Sequence, residues 1–371
     1  MTGIAMNITK LSSLVAIFLT SSALAESTFV VDAGSSGSRL FEYHYHYDES
    51  AKHDLAVIDR EVTYTNIKGG VQDIAPSKLE PYLEQLFGQT TTTPDHIYFY
   101  STAGMRTISS NDRNKINQSV LATLTQRFPK ADVKVKTITG QVEGTYAWLT
   151  ANYINGAFSN NEITKGIIDL GGASTQISFE SKIGDNLIDV AVGDLKFTLS
   201  STSFLGLGQD LALKQYINEP ACFPIDYVLP NGLQGTGIFS ECVNKVEPLI
   251  NGVHQVNQKQ LKPENNTGFY AISGYFFTSK DLGITQSFNL SNLESKGKDV
   301  CSQKWQPTDQ NGDDSQPNSY LYTNCFNAAY QHTLITQGYQ LADDKTDIKA
   351  VEELNGNTIS WTLGPILAPD L

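Results

Sequence analysis

Short apolar runs alternate with amphipathic stretches along the first 150 residues. Phe29–Val31 is an apolar run that leads into the glycine- and serine-rich segment Asp32–Ser38, which predicts a buried strand ending in a tight turn. Apolar residues then recur at helical spacing over Leu79–Phe87, and Ser77 and Glu80 have the spacing of a capping box. The first unit is therefore predicted to be a strand, a loop and a helix.

The alternation continues through the next two units. Ile97–Tyr100 predicts a strand, and Ile116–Phe128 predicts a second amphipathic helix with Asn111 or Asp112 as its cap. Val133–Ile138 alternates as a third strand. Strands that alternate with helices in this way indicate a layered α/β domain.

A second unit with the same order of residue types begins about one domain length later. Ile167–Leu170 is an apolar run that contains Asp169, and Gly171–Thr175 follows with glycines and small hydroxyl residues. Ile177–Phe179 then predicts the second strand of a hairpin. Both units contain an apolar strand, an Asp-x-Gly segment and small hydroxyl residues. The repeat is therefore one of a local site and not the short structural repeat of a solenoid.

The N-terminal stretch predicts a signal peptide at residues 1–25. Leu11–Ala25 is apolar, follows the lone Lys10 and ends in Ala23-Leu24-Ala25, and it is shorter than the roughly 20 residues that a membrane-spanning helix needs. A buried N-terminal strand or helix is the alternative. Because Pro365–Leu371 carries no apolar anchor, we expect a soluble chain, secreted or periplasmic, without a membrane anchor.

The charge of the chain bears on its partners. Lys and Arg number 26 against 39 Asp and Glu, which gives a net charge of −13. Nucleic acid and anionic membranes are bound through clustered positive charge, so neither is expected as the main partner. A phosphate ligand stays possible, because backbone N–H groups and a bound cation can hold it locally.

The four cysteines are even in number and follow a predicted export signal. They predict two disulfides, for which sequence allows three connectivities. Sequential pairing, Cys222 with Cys242 and Cys301 with Cys325, closes the shorter loops and is the pairing we expect. A zinc site is disfavoured, since no pair has C-x-x-C spacing.

The two Asp-x-Gly segments have the composition of anion-binding turns. Small residues after a strand leave successive backbone N–H groups free to converge on an anion, and glycine permits the close approach. Asp32 and Asp169 would repel a phosphate, so their expected role is to hold a divalent cation, Mg²⁺ or Ca²⁺, directly or through water. A single segment of this kind is usually a plain turn; two in the same chain favour a site. The residues predicted to bind phosphate are Gly34, Ser35, Ser36, Gly37, Ser38, Gly171, Gly172 and Ala173.

Three further side chains have both a structural and a chemical interpretation. Thr102 follows a strand, where a hydroxyl often caps a helix. Arg106 could bind phosphate, although pairing with a local carboxylate is the commoner arrangement. Glu143, three residues after Gly140, would by itself be a first-turn acid that favours the helix dipole.

Five segments in order resemble the conserved regions of the apyrase or ecto-nucleoside triphosphate diphosphohydrolase family. The resemblance implies a two-lobed α/β fold of the actin, hexokinase and heat-shock ATPase (RNase H-like) superfamily, with the nucleotide between the lobes. It places the lobes at 26–146 plus 348–371 and at 147–347. The five segments are Val31–Leu40, Ser101–Arg106, Gly140–Tyr153, Ile168–Phe179 and Ser360–Ile366.

The resemblance also implies roles for individual residues. It makes Glu143 the general base for the attacking water, with Ser174 and Gln176 positioning that water and Thr102 in the surroundings of the metal. Asp32 and Asp169 would hold the cation through its waters. Tyr330 resembles the base-stacking tyrosine of the family, and a core aromatic is the other interpretation.

The departures from the family pattern point to a minimal soluble member of bacterial type. Only four cysteines are present, Gly37-Ser38 replaces a bulkier residue followed by Thr, and Tyr100-Ser101 replaces a smaller residue. We expect a monomer that hydrolyses nucleoside tri- and diphosphates. The alternatives are an exopolyphosphatase of the same superfamily and a non-catalytic nucleotide-binding or adhesion module.

Overall fold

Two six-stranded β-sheets organise the chain in this computed structural model. The structure describes residues 25–47, 52–264, 267–306, 321–342 and 346–371. The first sheet contains β1 (Glu26–Ala33), β2 (Gly37–Tyr47), β3 (Ala56–Thr63), β4 (Ile67–Lys68), β5 (His96–Ser101) and β6 (Asp132–Thr137). The second contains β7 (Gly166–Leu170), β8 (Ser174–Glu180), β9 (Leu187–Val192), β10 (Leu195–Leu205), β11 (Phe269–Ser273) and β12 (Ile348–Ala350), and β13 (Glu353–Leu354) pairs separately with β14 (Asn357–Thr358).

Helices connect and cover the two sheets. In the described residues they are α1 (Leu79–Phe87), α2 (Ala103–Arg106), α3 (Ser110–Arg127), α4 (Gly140–Ile154), α5 (Ala157–Asn160), α6 (Gln209–Tyr216), α7 (Phe239–Glu247), α8 (Gly274–Asp281), α9 (Leu290–Ser302), α10 (Asn324–Thr333) and α11 (Gly364–Leu367). None of the described helices is long and apolar enough to cross a membrane.

The two sheets share one strand arrangement, which extends the repeat predicted from sequence. The first sheet has the order β3-β2-β1-β5-β6, and the second reads β9-β10-β8-β7-β11-β12. In each, one central strand forms a hairpin with an antiparallel neighbour and pairs on its other side with a parallel strand: β1 between β2 and β5, and β7 between β8 and β11. The carboxyl ends of β1 and β7 are therefore equivalent positions.

The apolar run in β1 is continuous because both faces of this strand are covered. Phe29 and Val31 face one apolar cluster, which includes residues of α1 and α3. Val30 faces a second cluster, formed with residues of α4 and the C-terminal segment. All three side chains are fully buried. A strand covered on both sides shows no alternation of polar and apolar residues, as the sequence pattern indicated.

The predicted helices α1 and α3 are confirmed, but both predicted caps are wrong. Ser77 lies in a short 3-10 turn (Pro76–Lys78) before α1, and no side chain caps that helix. In α3 the cap is Ser109, whose hydroxyl accepts a hydrogen bond from Asp112 N at 3.2 Å. An extended residue just before the first helical turn can reach this amide, whereas Asp112 is already inside the helix.

The predicted lobe boundaries, 26–146 plus 348–371 and 147–347, stay a prediction. The division at 146/147 falls inside α4, which runs unbroken from Gly140 to Ile154. In the segment 348–371, β12 pairs with β11 of the second sheet, while the rest returns to the first sheet, where Thr362 Oγ1 lies 2.8 Å from Tyr43 Oη. The parallel pairing of β12 joins Ile348–Ala350 to the second sheet.

The predicted disulfide pairing is confirmed. Cys222 is bonded to Cys242, and Cys301 to Cys325. All four cysteines are fully buried in the apolar core of the second lobe. The predicted signal peptide, residues 1–25, lies outside the described residues apart from Ala25.

Candidate functional site

A cavity of about 220 Å³ lies where the carboxyl ends of β1 and β7 meet. Its floor is formed by the turns of the two hairpins, which we name the first turn (Gly34–Ser36) and the second turn (Gly171–Ala173). The predicted site residues that line it are Asp32, Gly34, Ser35, Ser36, Gly37, Thr102, Glu143, Asp169, Gly171, Gly172, Ala173 and Ser174.

The first turn is held mainly by one side chain. Gln72 Nε2 donates a hydrogen bond to the carbonyl of Ser35 at 2.9 Å, and Gly69 N donates to the carbonyl of Ser36 at 2.9 Å. At Gly104, an added Cβ would lie 2.8 Å from Ser35 Cα. A glycine is therefore required where α2 passes under this turn.

The second turn is held by backbone groups of a segment that we name the brace (Gly206–Leu211). Its N–H groups donate to all three carbonyls of the turn: Gly206 N to Ala173 O at 2.9 Å, Gln209 N to Gly171 O at 2.8 Å, and Asp210 N and Leu211 N to Gly172 O at 3.0 and 3.1 Å. Gly171 N donates to Ser174 O at 3.0 Å, so the N–H groups of Gly172 and Ala173 are the ones that this turn can offer to a ligand. A Cβ at Gly208 would lie 2.3 Å from Ala173 N, so this close contact needs glycine.

Besides the exposed Glu352, the cavity wall carries the carboxyl groups of Asp32, Glu143 and Asp169. Burial, and then the charge of nearby Glu143, raises the pKa of both Asp32 and Asp169 to about 7. Arg39 and a hydrogen bond from Trp361 partly offset this rise at Asp32. Burial and mutual repulsion therefore disfavour two ionised aspartates here, and a divalent cation between them would offset both effects.

The donor set fits a divalent cation. Asp32 Oδ1 and Asp169 Oδ1 are buried and have no hydrogen-bond partner within the protein. Carboxylate oxygens are preferred ligands of Mg²⁺ and Ca²⁺. Within the described residues, no three His, Cys, Asp or Glu side chains converge closely enough to ligate a metal together. Water molecules would therefore have to complete the coordination of a cation between the two aspartates.

Glu143 is connected to a polar group on the second-lobe side of the cavity. Arg106 Nη1 donates to Glu143 Oε2 at 2.8 Å, and Arg106 Nη2 donates to Ser174 Oγ at 2.9 Å. Gln176 Nε2 donates to Ser174 Oγ at 2.7 Å and lies 3.4 Å from Glu143 Oε2. Burial raises the pKa of Glu143, and the Arg106 guanidinium counters that rise. Of the two interpretations of Arg106, the structure contains the carboxylate pair.

Thr102 occupies the start of α2, beside the first turn. Its N–H donates to the carbonyl of Ala33 at 3.1 Å, and its side chain is buried at the cavity wall. The hydroxyl makes no capping hydrogen bond to α2. Thr102 is therefore close to Asp32 through the parallel pairing of β1 with β5.

Two residues predicted to take part in phosphate binding or catalysis, Ser38 and Gln176, are not on the cavity wall. Ser38 is a fully buried residue of β2 that pairs with Ala33 and Ile67 and does not line the cavity. Gln176 lies behind Ser174, in contact with Glu143 but not with the cavity. Ser38 is thus corrected from a phosphate ligand to a strand residue.

Tyr330 is also away from the cavity. Its ring is fully buried and stacks on Phe326, and its hydroxyl donates to the carbonyl of Leu207 at 2.6 Å. A ring with no exposed face cannot stack on a nucleobase, so the core interpretation is the one that the structure supports. The side chain holds the brace in place instead.

Sequence reasoning missed an aromatic pair, Phe276 and Phe277 on α8, in the wall of the cavity. Both line the cavity, their rings are 5.6 Å apart, and Phe277 is 52% exposed. The available signal was Phe269–Ser273, an apolar run followed by Gly274, which repeats the strand-then-glycine pattern of the other two turns. Arg39 and Trp361 line the cavity as well and had been given no role.

The comparisons with known proteins agree with this geometry. The sequence profile of the GDA1/CD39 (nucleoside phosphatase) family matches residues 21–222 and 229–369. Nucleoside-triphosphatase ntp-1 of Caenorhabditis elegans is 27% identical over 392 residues, which cover 91% of this chain and 72% of the relative. Ectonucleoside triphosphate diphosphohydrolase 3 of Homo sapiens is 27% identical over 417 residues, which cover 91% and 77%.

Two solved structures share the fold. Nucleoside triphosphate hydrolases from Neospora caninum superpose with a TM-score of 0.64 at 15% identity, covering 92% of each chain. The PPX-GPPA enzyme of Aquifex aeolicus superposes with a TM-score of 0.54 at 11% identity, covering 93% of this chain and 99% of its own. The likeness confirms the predicted two-lobed α/β fold. With its five family segments grouped around one cavity, the chain belongs to the GDA1/CD39 (nucleoside phosphatase) family.

Proposed function

We propose that this protein hydrolyses nucleoside tri- and diphosphates to the monophosphate and phosphate. The observation that carries the proposal is the meeting of two aspartate-bearing hairpin turns at one cavity, with Glu143 beside them. The turns offer backbone N–H groups on two sides of a phosphate chain. Phosphoryl transfer depends mainly on such positioning and on neutralisation of charge.

In the proposed reaction, water attacks the terminal phosphorus in line, and the bond from phosphorus to the bridging oxygen breaks. Glu143 Oε1 or Oε2 accepts the proton of that water, while Ser174 orients it and Gln176 holds the Ser174 hydroxyl in position. Arg106 favours the ionised form of Glu143 that this role requires, and its second nitrogen fixes the Ser174 hydroxyl. No covalent intermediate with the protein is needed.

The proposed cation, Mg²⁺ or Ca²⁺, would be held by Asp32 and Asp169 through water, with Thr102 nearby. Their unpartnered buried oxygens support this assignment. A divalent cation supplies neutralisation of the phosphate oxygens. The first turn holds phosphate through its amides and the hydroxyls of Ser35 and Ser36, and Arg39 adds a positive charge at the same wall.

The base of the nucleotide is proposed to contact the aromatic pair. Phe277 exposes half of its surface at the cavity, and a nucleobase could stack on that face. The assignment replaces Tyr330. The two disulfides support an exported protein, since such bonds persist in oxidising compartments.

The test is release of phosphate from ATP, ADP, AMP and long-chain polyphosphate by the purified protein, with Mg²⁺, with Ca²⁺ and with EDTA. We expect cation-dependent release from ATP and ADP but not from AMP. Release from polyphosphate alone would instead assign an exopolyphosphatase. Binding of ATP without any release would assign a non-catalytic module.

A further inference from the structure

Gln331 lies outside the cavity and forms hydrogen bonds to residues of two helices, α6 and α8. Its side chain on α10 is fully buried. Its Nε2 lies 3.0 Å from Gln209 Oε1, 3.0 Å from the carbonyl of Gly274 and 2.8 Å from Thr278 Oγ1. Gln209 begins α6 and belongs to the brace, whereas Gly274 and Thr278 belong to α8. One amide group therefore joins the brace to the helix of the aromatic pair.

On the brace side, Gln331 contacts Gln209, and Gln209 is itself hydrogen-bonded to the second turn. The backbone N–H of Gln209 donates to the carbonyl of Gly171 at 2.8 Å, while its side chain meets Gln331. The neighbouring Tyr330 supports the same segment through Leu207 O at 2.6 Å. Two successive residues of α10 thus fix the position of the brace.

On the other side, α8 begins in a conformation that needs external support. Ser273 has a φ of 58° and a ψ of −119°, which a non-glycine residue adopts only where its surroundings impose it. A Cβ at Gly274 would lie 2.6 Å from Gln209 Oε1 and 2.9 Å from the carbonyl of Leu170. Gln331 bonds to the carbonyl of this same Gly274, so it fixes the turn from which Phe276 and Phe277 project.

We propose that Gln331 is a positioning residue that couples the base end of the cavity to its phosphate end. The proposal rests on the proposed function, because the aromatic pair matters only for a substrate with a base. Without Gln331, four backbone hydrogen bonds from the brace still hold the second turn. The loss is therefore expected to fall on α8, and on nucleotides more than on inorganic phosphate chains.

The experiment compares Gln331→Met, which keeps the size and removes the hydrogen bonds, with wild type. The KM of ATP and the inhibition constant of tripolyphosphate against ATP hydrolysis are measured in Mg²⁺. We expect the KM of ATP to rise about tenfold while the inhibition constant of tripolyphosphate changes little, as for coupled residues. Gln209→Met should reproduce this result from the other side of the contact, and it decides the question if Gln331→Met does not fold.

Thr333→Val is the matched control. Thr333 is equally buried on α10, but its hydroxyl bonds only within the helix, to Ala329 O at 2.7 Å. Both constants should stay unchanged in this variant. In a Phe277→Ala background, Gln331→Met should add little to the KM of ATP, because the contact that it positions is gone.

Three results would overturn the coupling. An equal rise of both constants would make Gln331 a general structural support. An unchanged KM of ATP would remove any role, and so would a wild type that tripolyphosphate does not inhibit. A wild type that cleaves tripolyphosphate but no nucleotide would overturn the proposed function itself, which is a different outcome from the loss of coupling alone.

Discussion

The first and second turns have the same strand pairing but different support. The second turn has all three carbonyls bonded to backbone N–H groups of the brace. The first turn depends on the Gln72 side chain and on Gly69 N. Its residues also differ, because Ser35 and Ser36 add hydroxyls where the second turn has only glycine and alanine.

The difference teaches that a repeated motif can be fixed in two ways. In the second lobe a backbone segment and a glycine without room for a side chain determine the direction of the turn. In the first lobe one side-chain and one backbone hydrogen bond do so, with Gly104 packed against the turn. Glu143 is also tied to the residues after the second turn, because it shares Arg106 with Ser174 and lies 3.4 Å from Gln176 Nε2. We therefore expect changes near the second turn to affect turnover and changes near the first to affect binding.

The largest effect is expected for Glu143→Gln. Loss of a general base lowers the rate by about 10²–10⁴-fold, so turnover should nearly stop while calorimetry still detects nucleotide binding. Glu352→Gln is the control, because Glu352 lines the same cavity but is exposed. Normal turnover in Glu143→Gln would contradict the assignment of the base.

The next effect is expected for Gly208→Ala. The new Cβ would lie 2.3 Å from Ala173 N and 2.4 Å from Gly172 C, so the second turn has to move. Misplacement by about 1 Å can cost roughly 100-fold in rate, and we expect a loss of kcat of that order in steady-state assays. Gly252→Ala serves as control, since its nearest neighbour would be 3.9 Å away. A rise in KM with kcat unchanged would contradict the conclusion that changes near the second turn affect turnover.

On the first-turn side, Gln72→Met should have a smaller effect. It removes one hydrogen bond to Ser35 O, worth about 1 kcal/mol or roughly fivefold. We expect this factor in the KM of ATP with kcat nearly unchanged. A kcat loss as large as that of Gly208→Ala would show that the two turns are equally dependent on their supports.

Arg106→Met should shift the pH dependence of turnover. Arg106 holds the pKa of Glu143 down against burial, so its removal raises that pKa. The ionised base is then lost at a higher pH, and the acidic limb of the kcat profile moves upward. Arg113→Met is the control, because Arg113 bonds to Ser110 on the surface of α3. If the acidic limb does not move, Arg106 does not control the pKa of the catalytic base.

The smallest effect concerns stability without a cation. The pKa of Asp169 is raised from 3.8 to about 7, so the folded state binds more protons than the unfolded state between these values. The free energy of unfolding in EDTA should therefore fall as the pH rises through this window. Asp169→Asn should flatten the decline in urea unfolding, and Mg²⁺ should restore stability to the wild type only. Equal slopes in both proteins would argue against a raised pKa.

Much of the fold follows from local patterns. The strands β1, β5 and β6, the helices α1 and α3, the hairpin that follows Asp169 and the sequential disulfides were predicted and are present, whereas β2, which makes the first unit a hairpin, was not predicted. Apolar periodicity and short loop closure are properties of neighbouring residues, so sequence contains them directly. The predicted caps at Ser77 and Asn111 or Asp112 failed because a cap depends on the backbone angles of one residue, which a spacing rule does not fix.

Sequence by itself determined which residue types carry the chemistry: Asp32, Asp169 and the small residues after them, with Glu143 identified through its resembling neighbours. Only the tertiary structure decided what each group faces. It buried Tyr330 under the brace, removed Ser38 from the cavity and brought Phe277 to it. It also joined Arg106 to Glu143 and Gln331 to Gln209. These contacts connect residues far apart in the chain, and their partners are set by how the two sheets and their helices pack, which no local pattern records.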